Sequence, residues 1–316
     1  MGLLHRLPLM GLRLSRQTRH PRKTPSTRTV TLVGTTTTSP STEDRTLEEL
    51  SRWLLGSVGT LAAMYVFILA TMFVLEPKLV FPAPRLDLAW LSQEAALSGA
   101  EEVSLSTPDG QELYGWWMPG EGPRTVLFFS GNATSVGLDP MSYARWKNEG
   151  LSVLHVNYRG YPGSTGAPSE EGLRTDALTA WNWLRERHAA QDIILVGQSL
   201  GGGVAIGLAA QESPGGLVLL ATYSTAVQVA RDSYPWLPVG LLMRNRFEST
   251  ALAPQVRCPT VIVHGRQDTL IGTHHPPTLA AAFENPPDLY WVEGAGHNDP
   301  LLTDPTVWGA VLALAR

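Results

Sequence analysis

The residues that most narrow the fold are 191–210, QDIILVGQSLGGGVAIGLAA. A β-branched apolar run leads into Gly-x-Ser-x-Gly and then into a small-residue segment of helical character, which predicts strand, sharp turn and helix. A serine at the apex of such a turn is held in a strained backbone conformation, its hydroxyl pushed out of the fold. Gly197 and Gly201 flank it because a Cβ at either position would collide across the turn. The helix behind Ser199 aims free N–H groups and the positive end of its dipole at the hydroxyl, where an oxyanion forms during acyl transfer. Ser199 is the candidate nucleophile. The competing reading is a Gly-rich β-to-α turn with an idle serine, and the rest of the chain decides between the two.

A serine nucleophile needs a base, and the base needs an orienting carboxylate. From about residue 100 the chain alternates strands and helices. EEVSLSTPDG and QELYGWWMPG read as an antiparallel pair, TVLFFSGNA and LSVLHVNYRG as buried strands, and SEEGLRTDALTAWNWLRERH as an amphipathic helix starting at Ser169. After the elbow come GGLVLLATY, PTVIVHG, a Pro-interrupted helix, PDLYWVEG and a terminal helix. The pattern predicts an α/β class with a mainly parallel central sheet, helices on both faces and chemistry at the carboxyl ends of the strands. Asp268 then falls in the loop after the next-to-last strand and His297 in the loop after the last. Taken singly, Asp268 reads as a helix cap and His297 as a loop histidine. Together with Ser199 they stand in the order serine, acid, histidine, each at a strand end. FFSGNATS supplies the second oxyanion donor: Gly131 lets the chain turn, and the backbone N–H of Asn132 joins that of Leu200.

The chain has 316 residues, 43% of them hydrophobic, enough for one large core, and a net charge of −4 that gives no reason to expect nucleic acid. Nine of its Lys and Arg residues lie within the first 52 positions, and no acidic residue precedes Glu43. Residues 1–52 are therefore expected to be a basic arm, disordered over about the first 45, with an organelle transit peptide or an over-extended start as alternatives. Trp53 to Leu75 is 23 residues without a charge, bracketed by Arg52 and Glu76, which predicts one membrane-spanning helix. The basic arm favours a cytoplasmic N-terminus. Residues 76–99 read as a linker in which Pro77, Pro82 and Pro84 stop the helix, and 100–316 as the soluble domain. Cys258 is the only cysteine, so neither an intramolecular disulfide nor a cysteine-based zinc site forms; it reads as a packing residue.

The strings SGNA, NYRGYPGSTGAPSEEGLRTDA, GQSLGGGVA, RFESTALAPQVRCPTVIVHGRQD and GAGHND together resemble the membrane-anchored α/β-hydrolase-domain family, over about residues 78–316. Its members include lysophospholipid and monoacylglycerol hydrolases and protein depalmitoylases. The resemblance implies an α/β-hydrolase fold with a short cap and a serine hydrolase in which Ser199, Asp268 and His297 form the triad. Two positions depart from the family pattern: Ser130 stands where a histidine is usual before Gly-Asn, and Gly272 where a proline is usual. His275 keeps the position usually occupied by histidine.

Residues 222–257 form the cap candidate, and Tyr223, Trp236 and Leu241 are its expected substrate contacts, suited to an acyl chain. Packing over the sheet is the alternative for them. GYPGSTG lacks a P-loop lysine and the dinucleotide spacing, and His264, His274 and His275 with Asp268 match no H-E-x-x-H pattern, with His264 at a strand end, so no cofactor and no metal is expected. Arg159 reads as structural rather than substrate-binding. The expected protein is a membrane-anchored ester or thioester hydrolase acting on lipid-like acyl substrates. A serine peptidase of the same fold and a catalytically silent scaffold are the rival readings.

Overall fold

The computed structural model describes residues 42–138, 145–299 and 304–314. The expectation of disorder over the first residues lies, up to position 41, outside them. The chain divides into two units, Met1–Val58 and Gly59–Arg316. In the first, the described residues belong to the start of helix α1 (Thr42–Val80), whose described side chains there are exposed. The second contains everything discussed below. α1 is the only helix among the described residues long and apolar enough to cross a membrane.

The second unit is built on an eight-stranded sheet: β1 (Glu101–Ser106), β2 (Glu112–Met118), β3 (Thr125–Phe129), β4 (Ser152–Val156), β5 (Ile193–Gln198), β6 (Gly216–Leu220), β7 (Thr260–Gly265) and β8 (Asp288–Val292). The order across it is β1-β2-β4-β3-β5-β6-β7-β8. β2 runs antiparallel to both neighbours and every other pairing is parallel. The inner parallel strands β3 to β7 are largely apolar on both faces because both are covered, whereas β8 at the edge is partly exposed. Leu127, Leu154, Leu195, Leu217 and Ile262 pack with Leu173, Ala177, Trp181 and Leu184 of α3 (Glu170–Arg185) and Val204 and Leu208 of α4 (Leu200–Ala209). Their neighbours Val126, Val153, Ile194, Val196, Val218 and Val263 pack with Leu91 and Ala95 of α2 (Leu88–Ser98) and Val307, Trp308 and Val311 of the terminal helix 305–314. α3 starts as expected at Ser169, whose side chain accepts from the N–H of Gly172.

Two features of the 76–99 stretch differ from the sequence reading. Helix α1 does not stop at Pro77 but continues to Val80. Proline lacks the N–H that would have bonded the carbonyl of Phe73, and such a loss ordinarily breaks a helix. Here the Arg244 guanidinium donates to that carbonyl at 3.3 Å, so the oxygen keeps a partner. The supposed linker also contains α2, started by Asp87, which accepts from the N–H of Ala89, and ended by Gly99 in the left-handed region.

Glu76 explains why the base of α1 is docked. Its buried carboxylate accepts from the backbone N–H and the side-chain amide of Asn245, both at 2.9 Å. Asn245 in turn accepts from the N–H of Glu170 at 2.7 Å, and the Glu170 carboxylate accepts from the N–H groups of Arg246 and Phe247 at 2.7 and 2.9 Å. The cap segment 244–247 is thus clamped between α1 and α3. A second contact lies higher on α1, where Ile68, Leu69 and Met72 pack against the buried cap residues Val227, Leu237 and Val239.

Arg159 is structural, in line with the sequence reading. It is 7% exposed, donates from Nε to Asp176 at 2.9 Å and from Nη1 to Asp109 at 2.6 Å, and its own N–H donates to the other Asp176 oxygen at 2.9 Å. The guanidinium holds the Asp109 carboxyl down to about 2. Arg159→Ala leaves the buried Asp176 carboxylate without its cation, a change expected to cost about 3–5 kcal/mol in a denaturant titration. Arg159→Met combined with Asp176→Leu removes both charges and is expected to recover much of that loss.

Candidate active site

Parallel pairing brings the carboxyl ends of β3, β5, β7 and β8 to one edge of the sheet, so the loops that follow them meet. Phe129 pairs with Gly197, which sets the Gly131–Asn132 turn beside the elbow. Ser199 follows β5 with φ 51° and ψ −116°, the left-handed strain expected of a serine at this apex. The turn tolerates no side chain at its flanks: a Cβ on Gly197 would lie 2.5 Å from the Gly201 carbonyl oxygen, and one on Gly201 would lie 2.1 Å from that of Phe129. The Thr222 hydroxyl donates to the Ser199 carbonyl at 3.1 Å and steadies the turn from the next strand.

The structure brings Ser199, His297 and Asp268 together. Ser199 Oγ lies 3.0 Å from His297 Nε2, and His297 Nδ1 lies 2.8 Å from Asp268 Oδ2. The other Asp268 oxygen accepts from the N–H groups of Leu270 and Ile271 at 3.0 and 2.8 Å. Burial raises the Asp268 carboxyl, but the His297 hydrogen bond and the backbone N–H of Ile271 outweigh it and hold the group below its ordinary value. An ionised Asp268 fixes the tautomer with a proton on Nδ1 and leaves Nε2 free to accept from Ser199. The chemistry available to this arrangement is proton removal from a hydroxyl aimed outward.

Among the described residues neither the N–H of Asn132 nor that of Leu200 donates a hydrogen bond. Both sit at loop or helix starts beside Ser199, and a Cβ on Gly131 would lie 3.6 Å from the serine Cβ. The departure at Ser130 has a structural answer. The Tyr158 hydroxyl donates to the Ser130 carbonyl at 2.9 Å, and the Tyr161 hydroxyl donates to the Asn132 carbonyl at 2.6 Å. Burial pushes both phenols up, so they stay protonated donors. The NYRGY loop therefore braces the turn at which the family usually carries a histidine.

The three expected substrate contacts separate. Tyr223 is buried, and its hydroxyl approaches the Leu200 carbonyl at 3.4 Å, so it props the elbow from behind instead of lining a pocket. Trp236 is 57% and Leu241 85% exposed on the cap, and the Trp236 carbonyl accepts from Tyr65 of α1 at 3.2 Å. His264 was missed as a site residue. Its ring is fully buried, its Nε2 lies 2.9 Å from the Ile271 carbonyl and 3.4 Å from Asp268, and burial lowers its proton affinity. It is a neutral brace for the loop that carries the acid.

Burial raises the Cys258 thiol to about 11, which rules it out as a rival nucleophile near neutrality. Iodoacetamide at pH 7.5 is expected to leave Cys258 of the folded protein unmodified. Its alkylation rate should climb tenfold per pH unit up to about 11, whereas the urea-unfolded chain reacts at once.

The profile of the serine aminopeptidase S33 family of hydrolases matches residues 121–248, which include the elbow and most of the cap. An uncharacterised protein of Mycobacterium tuberculosis H37Rv is 36% identical over 222 residues, or 68% of this chain and 79% of that one. The α/β-hydrolase domain-containing protein aho-3 of Caenorhabditis elegans is 30% identical over 67% of this chain and 64% of its own. This chain is an α/β-hydrolase. Human α/β-hydrolase domain-containing protein 17B is 29% identical to the hydrolase over 55% of this chain and 60% of its own. The esterase Pf2001 of Pyrococcus furiosus superposes on the hydrolase with a TM-score of 0.58 at 18% identity, covering 73% of this chain and 95% of the esterase. The puromycin-hydrolyzing peptidase of Mycobacterium tuberculosis has the same fold, with a TM-score of 0.54 at 19% identity over 63% of this chain and 36% of its own.

Proposed function

We propose that this hydrolase is a membrane-anchored serine esterase or thioesterase acting on lipid-like acyl substrates. The observation that carries the reading is the line of hydrogen-bonding distances from Ser199 through His297 to Asp268. In the proposed mechanism His297 Nε2 takes the Ser199 proton as Oγ attacks the acyl carbonyl. The N–H groups of Asn132 and Leu200 hold the oxyanion, and Asp268 stabilises the imidazolium that forms. The alcohol or thiol leaves with the proton from His297. Water deprotonated by His297 then releases the acid from the acyl-serine, so no cofactor enters the cycle.

The membrane part of the proposal rests on α1 and the cap. The uncharged stretch of α1 is about 35 Å long, more than a bilayer's hydrocarbon core requires. Trp236, Leu241 and Tyr234 are exposed on a cap that packs along Ile68, Leu69 and Met72 of the same helix. We assign them a lipid-facing role, with the basic arm on the cytoplasmic side.

The peptidase reading draws on the name of the matching profile and on the mycobacterial peptidase. A peptidase would need a free cap carboxylate for the substrate amine. Asp232 is already engaged by His274, His275 and Gln228, and Glu248 by Arg246, so the ester reading is preferred. Full-length protein in detergent, given acyl esters and thioesters of increasing chain length beside aminoacyl amides, is expected to turn over the first two. Turnover of the amides alone would reverse the order. Folded wild type that fails to react with a fluorophosphonate would favour the scaffold.

A further inference from the structure

Asp232, on the cap helix Ala226–Ser233, meets two histidines from the loop that follows Asp268. His274 Nε2 lies 2.9 Å and His275 Nε2 3.1 Å from the same oxygen, Asp232 Oδ2. All three donor atoms fall within 4.8 Å of one another. In a tetrahedral zinc site with bonds of about 2.0–2.1 Å, neighbouring ligand atoms are separated by about 3.3 Å. The two carboxylate–imidazole distances therefore need to lengthen only by tenths of an ångström, while the two imidazole nitrogens, within 4.8 Å of each other, adjust to face the same ion.

The surroundings fix where these donors sit. The His275 ring is fully buried, and its Nδ1 lies 2.9 Å from the Ser224 hydroxyl and 3.3 Å from the Ser224 N–H. The other Asp232 oxygen accepts from the Gln228 amide at 2.7 Å. His274 is more than half exposed, which leaves a path from solvent. We propose that Asp232, His274 and His275 bind one divalent transition-metal ion of the zinc class and so pin the cap helix to the acid loop. Two imidazoles and one carboxylate suit zinc and do not suit magnesium or calcium, which take oxygen ligands.

The proton balance is local. In the metal-free protein Nδ1 of His275 accepts from the Ser224 N–H, so Nε2 carries the proton and donates to Asp232. Metal on Nε2 moves that proton to Nδ1, from which it is donated to the Ser224 hydroxyl, and the long contact to the Ser224 N–H is given up; the proton on Nε2 of the more exposed His274 passes through solvent to that ring's own Nδ1. Ser224 lies two residues beyond Thr222, whose hydroxyl bonds the Ser199 carbonyl. The site thus joins the cap, the acid loop and the strand behind the elbow, without depending on which bond the enzyme cleaves.

The test is titration of the full-length protein in detergent with Zn²⁺ against a chromophoric chelator, with thermal unfolding followed in parallel. Wild type and Ser199→Ala are expected to take up one ion per chain with micromolar affinity and to gain thermal stability, with Mg²⁺ without effect. His274→Ala, an exposed position that leaves folding intact, should weaken uptake at least about tenfold and abolish the stability gain. Asp232→Asn should do the same, whereas His297→Ala should keep the site. Absence of uptake by folded wild type, or uptake unchanged in His274→Ala and Asp232→Asn, would overturn the proposal. Uptake lost in His297→Ala would move the ion to the triad and overturn it equally.

Discussion

Ser199→Ala is expected to lower acyl turnover by about six orders of magnitude, to the level left by oxyanion donors and binding alone. In the proposed mechanism this hydroxyl supplies the attacking oxygen, and among the described residues it is the one hydroxyl or thiol hydrogen-bonded to His297. The fold should tolerate the change. The Ser199 side chain caps no helix N–H, and the strain at φ 51° belongs to the backbone and is the same with alanine. Circular dichroism and the unfolding midpoint should therefore match wild type while fluorophosphonate labelling disappears. Labelling that persists in Ser199→Ala would assign the nucleophile elsewhere.

Asp268→Asn should lower turnover by about 10⁴-fold with the protein still folded. The oxygen that accepts from Leu270 and Ile271 forces the amide to keep its own oxygen there. Its NH₂ then occupies the position facing His297 Nδ1. The imidazole has to accept on Nδ1 and carry its proton on Nε2, where it confronts Ser199 Oγ as a donor and cannot take the serine proton. The loss should sit in kcat with KM little changed, because the carboxylate touches the imidazole and not the acyl chain. A loss below about tenfold would show that Asp268 only positions the loop.

The sequence made the sheet and the elbow legible because the inner parallel strands are largely apolar runs and the glycines of GQSLG have a steric reason to be there. Asp268 and His297 were legible for a topological reason, since parallel strands carry their following loops to one edge. Four features were not. Pro77 signalled a helix stop because the replacement donor, Arg244, lies 167 positions away in the chain. Helix α2 hid between prolines, although Asp87 and Gly99 bracket it as cap residues would. Tyr223, Trp236 and Leu241 looked alike as cap apolar residues, and only three-dimensional packing separates a buried prop from exposed side chains. Asp232 could not be joined to His274 and His275 because no short spacing links them.

The burial of Glu76 against Asn245 has a consequence for anyone seeking a soluble fragment. α1 is not a leash that a protease can clip flush with the globule. Excision through residue 80 would uncover Leu237 and Val239 and strand the amide of Asn245, so the excised piece should stick to itself. A cut just upstream of Tyr65 keeps the seal and sheds the greasy upper turns together with everything before them.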